Sequence, residues 1–238
     1  MFEQMIHYVN RHCSILLGRM LLFVLLLGWA SISCWAQGYS AALKGLSPKL
    51  KQFMADHPAA SASLSKALSE AFGNRHLELY YFYSDDESVA RAEHYYPNPT
   101  SVTIVVRENQ LPCDECICLL FEVLNSEGEP RFQQLGAMAK AGTISKVEYA
   151  TEVLRQEFQA TKKTRDLIAT FGLGQDEIAE SWSYNRFIQC PDDFAAFLPY
   201  LRKVSPNRHA FEDYERYYDL QKQYYDSQAK TSPAANAK

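Results

Sequence analysis

Residues 113 to 125 read Cys113-Asp114-Glu115-Cys116-Ile117-Cys118-Leu119-Leu120-Phe121-Glu122-Val123-Leu124-Asn125. From Cys116 to Leu124 every residue is apolar or cysteine except Glu122. A helix that is apolar on nearly all sides belongs in a core, so this run predicts the helix around which the fold is built. An ionised carboxylate in such a place is costly unless it is paired or hydrogen-bonded. Glu122 therefore needs a partner. Helical spacing puts Glu115, Cys118, Glu122 and Asn125 on one side, because residues three and four apart are neighbours.

The segments before this helix predict a small sheet. Val102, Ile104 and Val106 alternate with Thr103 and Val105, which is the period of a strand over 101–107. Leu77 to Tyr83 is rich in aromatics and reads as a second strand. Ser84 to Ser88 reads as a turn, and Val89 to Tyr96 as the hairpin partner. Pro97-Asn98-Pro99 then breaks the chain. An antiparallel sheet of about three strands is expected.

The segments after the helix read as further helices. Ser126 to Pro130 is a break, followed by a helix from Arg131 to Lys140. Ser145 and Glu148 spell a capping box, and Ile144 and Tyr149 occupy the positions of a hydrophobic staple. That helix is expected to run to Thr170, with Ala150, Leu154, Phe158, Thr161 and Ile168 on its apolar face. Glu157 falls beside this face, a second carboxylate directed inward. Gln175 to Ile188 reads as one helix, Asp193 to Arg202 as a shorter one, and His209 to Asp226 as the last. The last carries an aromatic stripe of Phe211, Tyr214, Tyr217, Tyr218, Tyr224 and Tyr225, with Leu220. The polar residues 227–238 are expected to form a disordered tail. The fold class is thus α+β and helix-dominated.

Upstream, residues 37–75 read as an N-terminal helical segment, either a cover on the domain or a loosely attached lead-in. It holds one helix near Leu46 to Ala55 and a second bracketed by Pro58 and Gly73. Residues 1–36 have the layout of a signal peptide. Arg11, His12 and Arg19 form a basic region, Met20 to Ile32 an apolar run, and Cys34-Trp35-Ala36 a cleavage site before Gln37. This implies a secreted or periplasmic protein. The alternatives are an uncleaved anchor and a lipoprotein acylated at Cys34, so contact with the membrane is expected only through this segment. The chain carries 24 basic against 28 acidic residues, with no basic excess to hold nucleic acid. An envelope or other protein partner is the expected kind.

Phe121-Glu122-Val123-Leu124-Asn125 resembles the zinc-peptidase helix His-Glu-x-x-His. In that motif the two histidines bind zinc and the glutamate activates water. Here the glutamate remains, while Phe121 and Asn125 stand where the ligands belong. Strand, loop and helix also follow in the order of a zincin. The resemblance implies a degenerate zincin-like α+β domain over residues 76–226 that lacks its zinc ligands. In such a domain the fold persists as a binding or structural scaffold, with no metal and no cofactor.

The residues themselves allow three chemistries. The first is a buried polar network of Glu122, Asn125 and Glu157, in which the amide donates to a carboxylate and one of the two acids can hold a proton. The second makes Glu122, with Glu157, the catalytic centre of a metal- or carboxylate-dependent hydrolase. His57, His76, His94 and His209 are then the histidines that would have to converge on Glu122. The third is a thiol–disulfide oxidoreductase using Cys113 and Cys116, which open a helix as Cys-x-x-Cys. Against this, Asp114 and Glu115 put negative charge beside the thiols. A structural disulfide among Cys113, Cys116, Cys118 and Cys190 is expected in an oxidising compartment, with Cys190 joined to Cys113 or Cys116. The expected function is that of an exported, non-catalytic binding or structural protein.

Overall fold

Ser47 opens the first helix by accepting the Leu50 amide on its hydroxyl, and α1 (Pro48–Asp56) runs from there with proline in its first turn. The computed structural model describes residues 45–72, 76–82, 92–98, 101–108, 110–204 and 210–231. The signal segment with Cys34, His209, and residues 232–238 of the expected tail lie outside the described residues. So do the side chains of His76 and His94.

α2 (Pro58–Phe72) follows α1 directly. Leu50, Phe53, Leu64, Leu68 and Phe72 are buried in the same core as Ile117, Leu119 and Leu120. Of the two expectations the packing fits the cover: both helices share this core and are not loosely attached. Ala60 and Ala67 are buried too, and such small residues let a helix lie close while lending little contrast to its apolar pattern.

The sheet is mixed, which corrects the expectation of an antiparallel one. β1 (His76–Phe82), β2 (Ala92–Asn98) and β3 (Ser101–Arg107) lie in the order β1-β3-β2. β1 runs parallel to β3, from His76 opposite Ser101 to Phe82 opposite Arg107. Only β2 and β3 are antiparallel. β1 and β2 therefore form no hairpin. The central place goes to β3, whose Val102, Ile104 and Val106 are fully buried. A strand with such a face gains most from neighbours on both sides. β2 continues through Pro97, with a register irregularity between Tyr95 and Asn98. An edge strand tolerates proline at such a point because the missing N–H leaves no gap in the ladder.

α3 (Pro112–Asn125) is the expected central helix, and twelve of its residues are buried. A short 3-10 turn (Ser126–Gly128) leads into α4 (Glu129–Ala141), which stops at Gly142 in the left-handed conformation, φ 66°. α5 (Lys146–Ile168) begins with the expected capping box of Ser145 and Glu148. Its predicted apolar residues Ala150, Leu154, Phe158, Thr161 and Ile168 are all buried. Ile144 and Tyr149 share one apolar cluster, as the staple requires.

The expected single helix over 175–188 is two helices, α6 (Gln175–Glu180) and α7 (Trp182–Ile188), parted at Ser181. α8 (Phe194–Val204) follows, and α9 (Ala210–Thr231) extends five residues past the expected Asp226. α3 lies at the centre, against α1 and α2 on one side, β2 and β3 on another, and α5 and α7 on a third.

Candidate functional site

α3 concentrates the polar chemistry of the chain. Its first turn carries Asp114 and Glu115, where carboxylates are favoured by the helix dipole. Both are buried, and both reach other elements. Asp114 Oδ1 accepts from the Ser181 hydroxyl at 2.7 Å and from the Ser183 amide at 2.8 Å. The Ser181 hydroxyl in turn accepts from the Tyr184 amide at 3.0 Å and so caps α7. The Cys113 thiol donates to the same oxygen at 3.6 Å, and the Cys118 sulfur lies 3.3 Å from the Ser183 hydroxyl. Ser181 and Ser183 are fully buried.

Glu115 is only 1% exposed. Its Oε2 accepts from the Ser47 hydroxyl at 2.9 Å, while the Ser47 amide donates to the Tyr81 hydroxyl at 3.0 Å. Burial raises the Glu115 carboxyl above its ordinary range, against the hydrogen bonds of Ser47 and Tyr81 and the charge of Lys49. Burial likewise raises the Tyr81 hydroxyl, helped by the charge of Glu115.

The four cysteines of the described residues are free, buried thiols. Burial pushes Cys113 up to about 12 despite its bond to Ser181, and it also raises Cys116. The expected link between Cys190 and Cys113 or Cys116 is not made in this structure. Cys190 sits in a separate cluster with Leu154, Phe158, Phe197 and Leu201. The loop that the disulfide was expected to fasten is held by Arg165 instead. This side chain donates to the Cys190 carbonyl at 2.9 Å and pairs with Asp192 at 2.8 Å. Thiols held this far toward protonation are poor nucleophiles, because the thiolate is the reactive form.

On the other end of α3, Glu122 and Asn125 are buried. Phe121 packs on Phe187 of α7, with ring centroids 5.2 Å apart. Glu157 of α5 accepts a hydrogen bond from the Tyr214 hydroxyl of α9. Burial raises the Tyr214 hydroxyl well above its ordinary value. The charge of Glu157, their hydrogen bond and then the charge of Glu122 push in the same direction. The two carboxylates singled out from the sequence thus bear on one tyrosine. Asn125 Oδ1 has no hydrogen-bond partner among the described residues.

His57 is engaged elsewhere. Its ring stacks on Phe53 with centroids 4.3 Å apart, Nδ1 lies 3.0 Å from the Phe53 carbonyl, and Nε2 lies 3.2 Å from Glu177 of α6. Among the described residues no group of three or more His, Cys, Asp and Glu is assembled as metal donors.

The partners Ser47, Ser181, Ser183 and Tyr214 were not foreseen as a site. Ser181 had one local signal, a serine two residues ahead of Ser183-Tyr184 at a helix start. Ser47 had the same kind of signal, standing before Pro48 at a helix start, but the distant partner of each residue is decided by the fold. No protein-family pattern, curated protein or solved structure matches the chain.

Proposed function

We propose that the chain is an exported, non-catalytic binding or structural protein, built on a zincin-like helix that has given up its metal chemistry. One observation carries this reading. The polar groups of α3 are spent on the fold itself. Asp114 holds the start of α7, Glu115 holds Ser47 ahead of α1, and the thiols beside them are held protonated. At the two positions where the motif carries ligands, Phe121 has no donor atom and packs on Phe187, while Asn125 is enclosed in the core.

Export rests on residues 1–36, with cleavage before Gln37. No helix among the described residues is long and apolar enough to cross a membrane. The partner in this reading is a protein of the envelope or the exterior.

The test compares wild type with Glu122→Gln in metal content and in hydrolysis of peptide and ester substrates. Wild type free of stoichiometric zinc, with no activity that Glu122→Gln removes, is the expected outcome. Bound zinc, together with hydrolysis lost in Glu122→Gln at unchanged melting temperature, would instead support the hydrolase. N-terminal sequencing separates cleavage at Gln37 from an intact anchor or an acylated Cys34.

A further inference from the structure

α6 buries none of its residues. Gly172, just ahead of it, turns the chain in the left-handed conformation at φ 70°. Ser181, just past it, is fixed by Asp114. α6 thus runs between a glycine turn and an anchored serine. It is tied on two sides. On the α7 side, Asn185 Nδ2 donates to the Ile178 carbonyl at 2.7 Å and to the Ser181 carbonyl at 2.8 Å. On the far side, Glu177 Oε2 lies 3.2 Å from His57 Nε2, at the junction of α1 and α2. The same oxygen accepts from the Gly174 amide at 2.8 Å, so the contact with His57 bears on the first turn of α6.

The His57 side chain is 15% exposed and that of Glu177 38%. Water competes for such a contact, and it holds less firmly than the buried bonds of Asp114. α6 therefore has the makings of a segment that opens ahead of the rest, with no buried residue, a weak latch and a glycine at its root. The start of α3 lies against it. Cys113 Sγ is 3.6 Å from the Ser181 hydroxyl at one end of α6, and the charge of Glu177 in its middle reaches the same thiol. Cys113 is buried, and Cys116, one turn further along α3, is fully enclosed.

We propose that residues 173–180 form a hinged strap, latched by His57 and Glu177, whose opening uncovers the Cys113 thiol while α3 and α7 stay folded. Closed, the strap keeps the thiol buried beside a negative charge, and both disfavour the thiolate. Open, it relieves both, so the strap separates an inert thiol from a reactive one. The strap does not depend on the binding or structural role proposed above, and it is read by thiol reactivity, not by hydrolysis.

The experiment is alkylation of the reduced full chain with iodoacetamide, followed thiol by thiol by mass spectrometry at a series of low urea concentrations. Cys113 is expected to react ahead of Cys116, at a rate nearly independent of urea, because a local opening exposes little surface. His57→Leu keeps an apolar side chain beside Phe53 and removes the latch. It is expected to speed Cys113 about 5-fold or more, the effect of losing a hydrogen bond to a charged group, and to leave Cys116 unchanged. Should His57→Leu fail to fold, amide exchange in wild type carries the test. The amides of Ile178 and Ser181 donate to Gly174 and Glu177 within the strap, and they should exchange faster than those of α7. Cys113 and Cys116 reacting together in step with global unfolding would overturn the proposal. So would a Cys113 rate untouched by His57→Leu, or strap amides that exchange no faster than those of α7.

Discussion

Asp114 grips the Ser181 hydroxyl at 2.7 Å across 67 residues of sequence, and this bond sets the boundary between α6 and α7. The same oxygen takes the Ser183 amide, a buried donor with no partner inside its own helix. Asp114→Ala removes the one oxygen that accepts both bonds and strands the amide. The expected cost is about 2–4 kcal/mol, since hydrogen bonds to a charged group are worth more than neutral ones. Asp114→Asn keeps one oxygen acceptor and should cost roughly half of that. Urea denaturation followed by circular dichroism measures both, and equal stability of Asp114→Ala and wild type would refute the arrangement.

Phe121 occupies a ligand position of the motif it resembles, yet its ring is in contact with Phe187. Phe121→Ala should destabilise by about 2–4 kcal/mol, below the range for a fully buried ring because Phe121 is half-buried. Phe187→Ala should cost as much or more, since Phe187 is the more deeply buried of the two. Thermal melts of the two single variants and the double variant decide this. Strict additivity of the two costs would mean that the rings do not act as a pair.

Tyr214 donates to Glu157, so Tyr214→Phe leaves that carboxyl group without this donor. The expected loss is about 1–3 kcal/mol. In a double-mutant cycle with Glu157→Gln, the coupling should exceed about 0.5 kcal/mol, the scatter of independent sites. Coupling within that scatter would count against the contact between α5 and α9.

Stability should fall on the alkaline side. Cys113 is raised from 9.0 to about 12, and Tyr200 from 10.0 to about 12, both chiefly by burial. A raised group holds its proton in the folded chain after the unfolded chain has lost it. Its contribution is therefore complete below the ordinary value and is lost as pH rises toward the folded one. The decline is expected to begin near pH 9 and continue to about pH 12. Glu115, also raised, acts in the acid range. Its contribution is present below 4.5 and is lost as pH rises through its folded value, so the stability of Glu115→Gln relative to wild type should grow from acid to neutral pH. Chemical denaturation at a series of pH values tests both limbs, and a flat alkaline limb would contradict the burial of the thiols.

The elements that could be read from the sequence are those whose signals are local. α3 announces itself by an unbroken apolar run, and α5 by Ser145, Glu148 and the spacing of Ala150, Leu154 and Phe158. The sheet order could not be read this way. The spacing of β1 and β2 suits a hairpin, but both pair with β3, whose Val102, Ile104 and Val106 are fully buried. The break at Ser181 depends on Asp114, far away in sequence. The inward direction of Glu157 followed from its helix face, while its partner Tyr214 lies 57 residues on. Helical periodicity shows which way a side chain points and is silent on what it meets.

The position of α3 also has a consequence for how the molecule comes apart. Ser47 reaches Glu115 over 68 residues toward the N-terminus, and Ser181 reaches Asp114 over 67 residues toward the C-terminus. The two arms of the chain thus close on neighbouring residues of a single helical turn. Neither arm can loosen its end without exposing a carboxylate of that one turn. Two regions that would otherwise open independently are joined into one cooperative unit. Amide hydrogen exchange in α1 and α7 should therefore proceed through the same global opening.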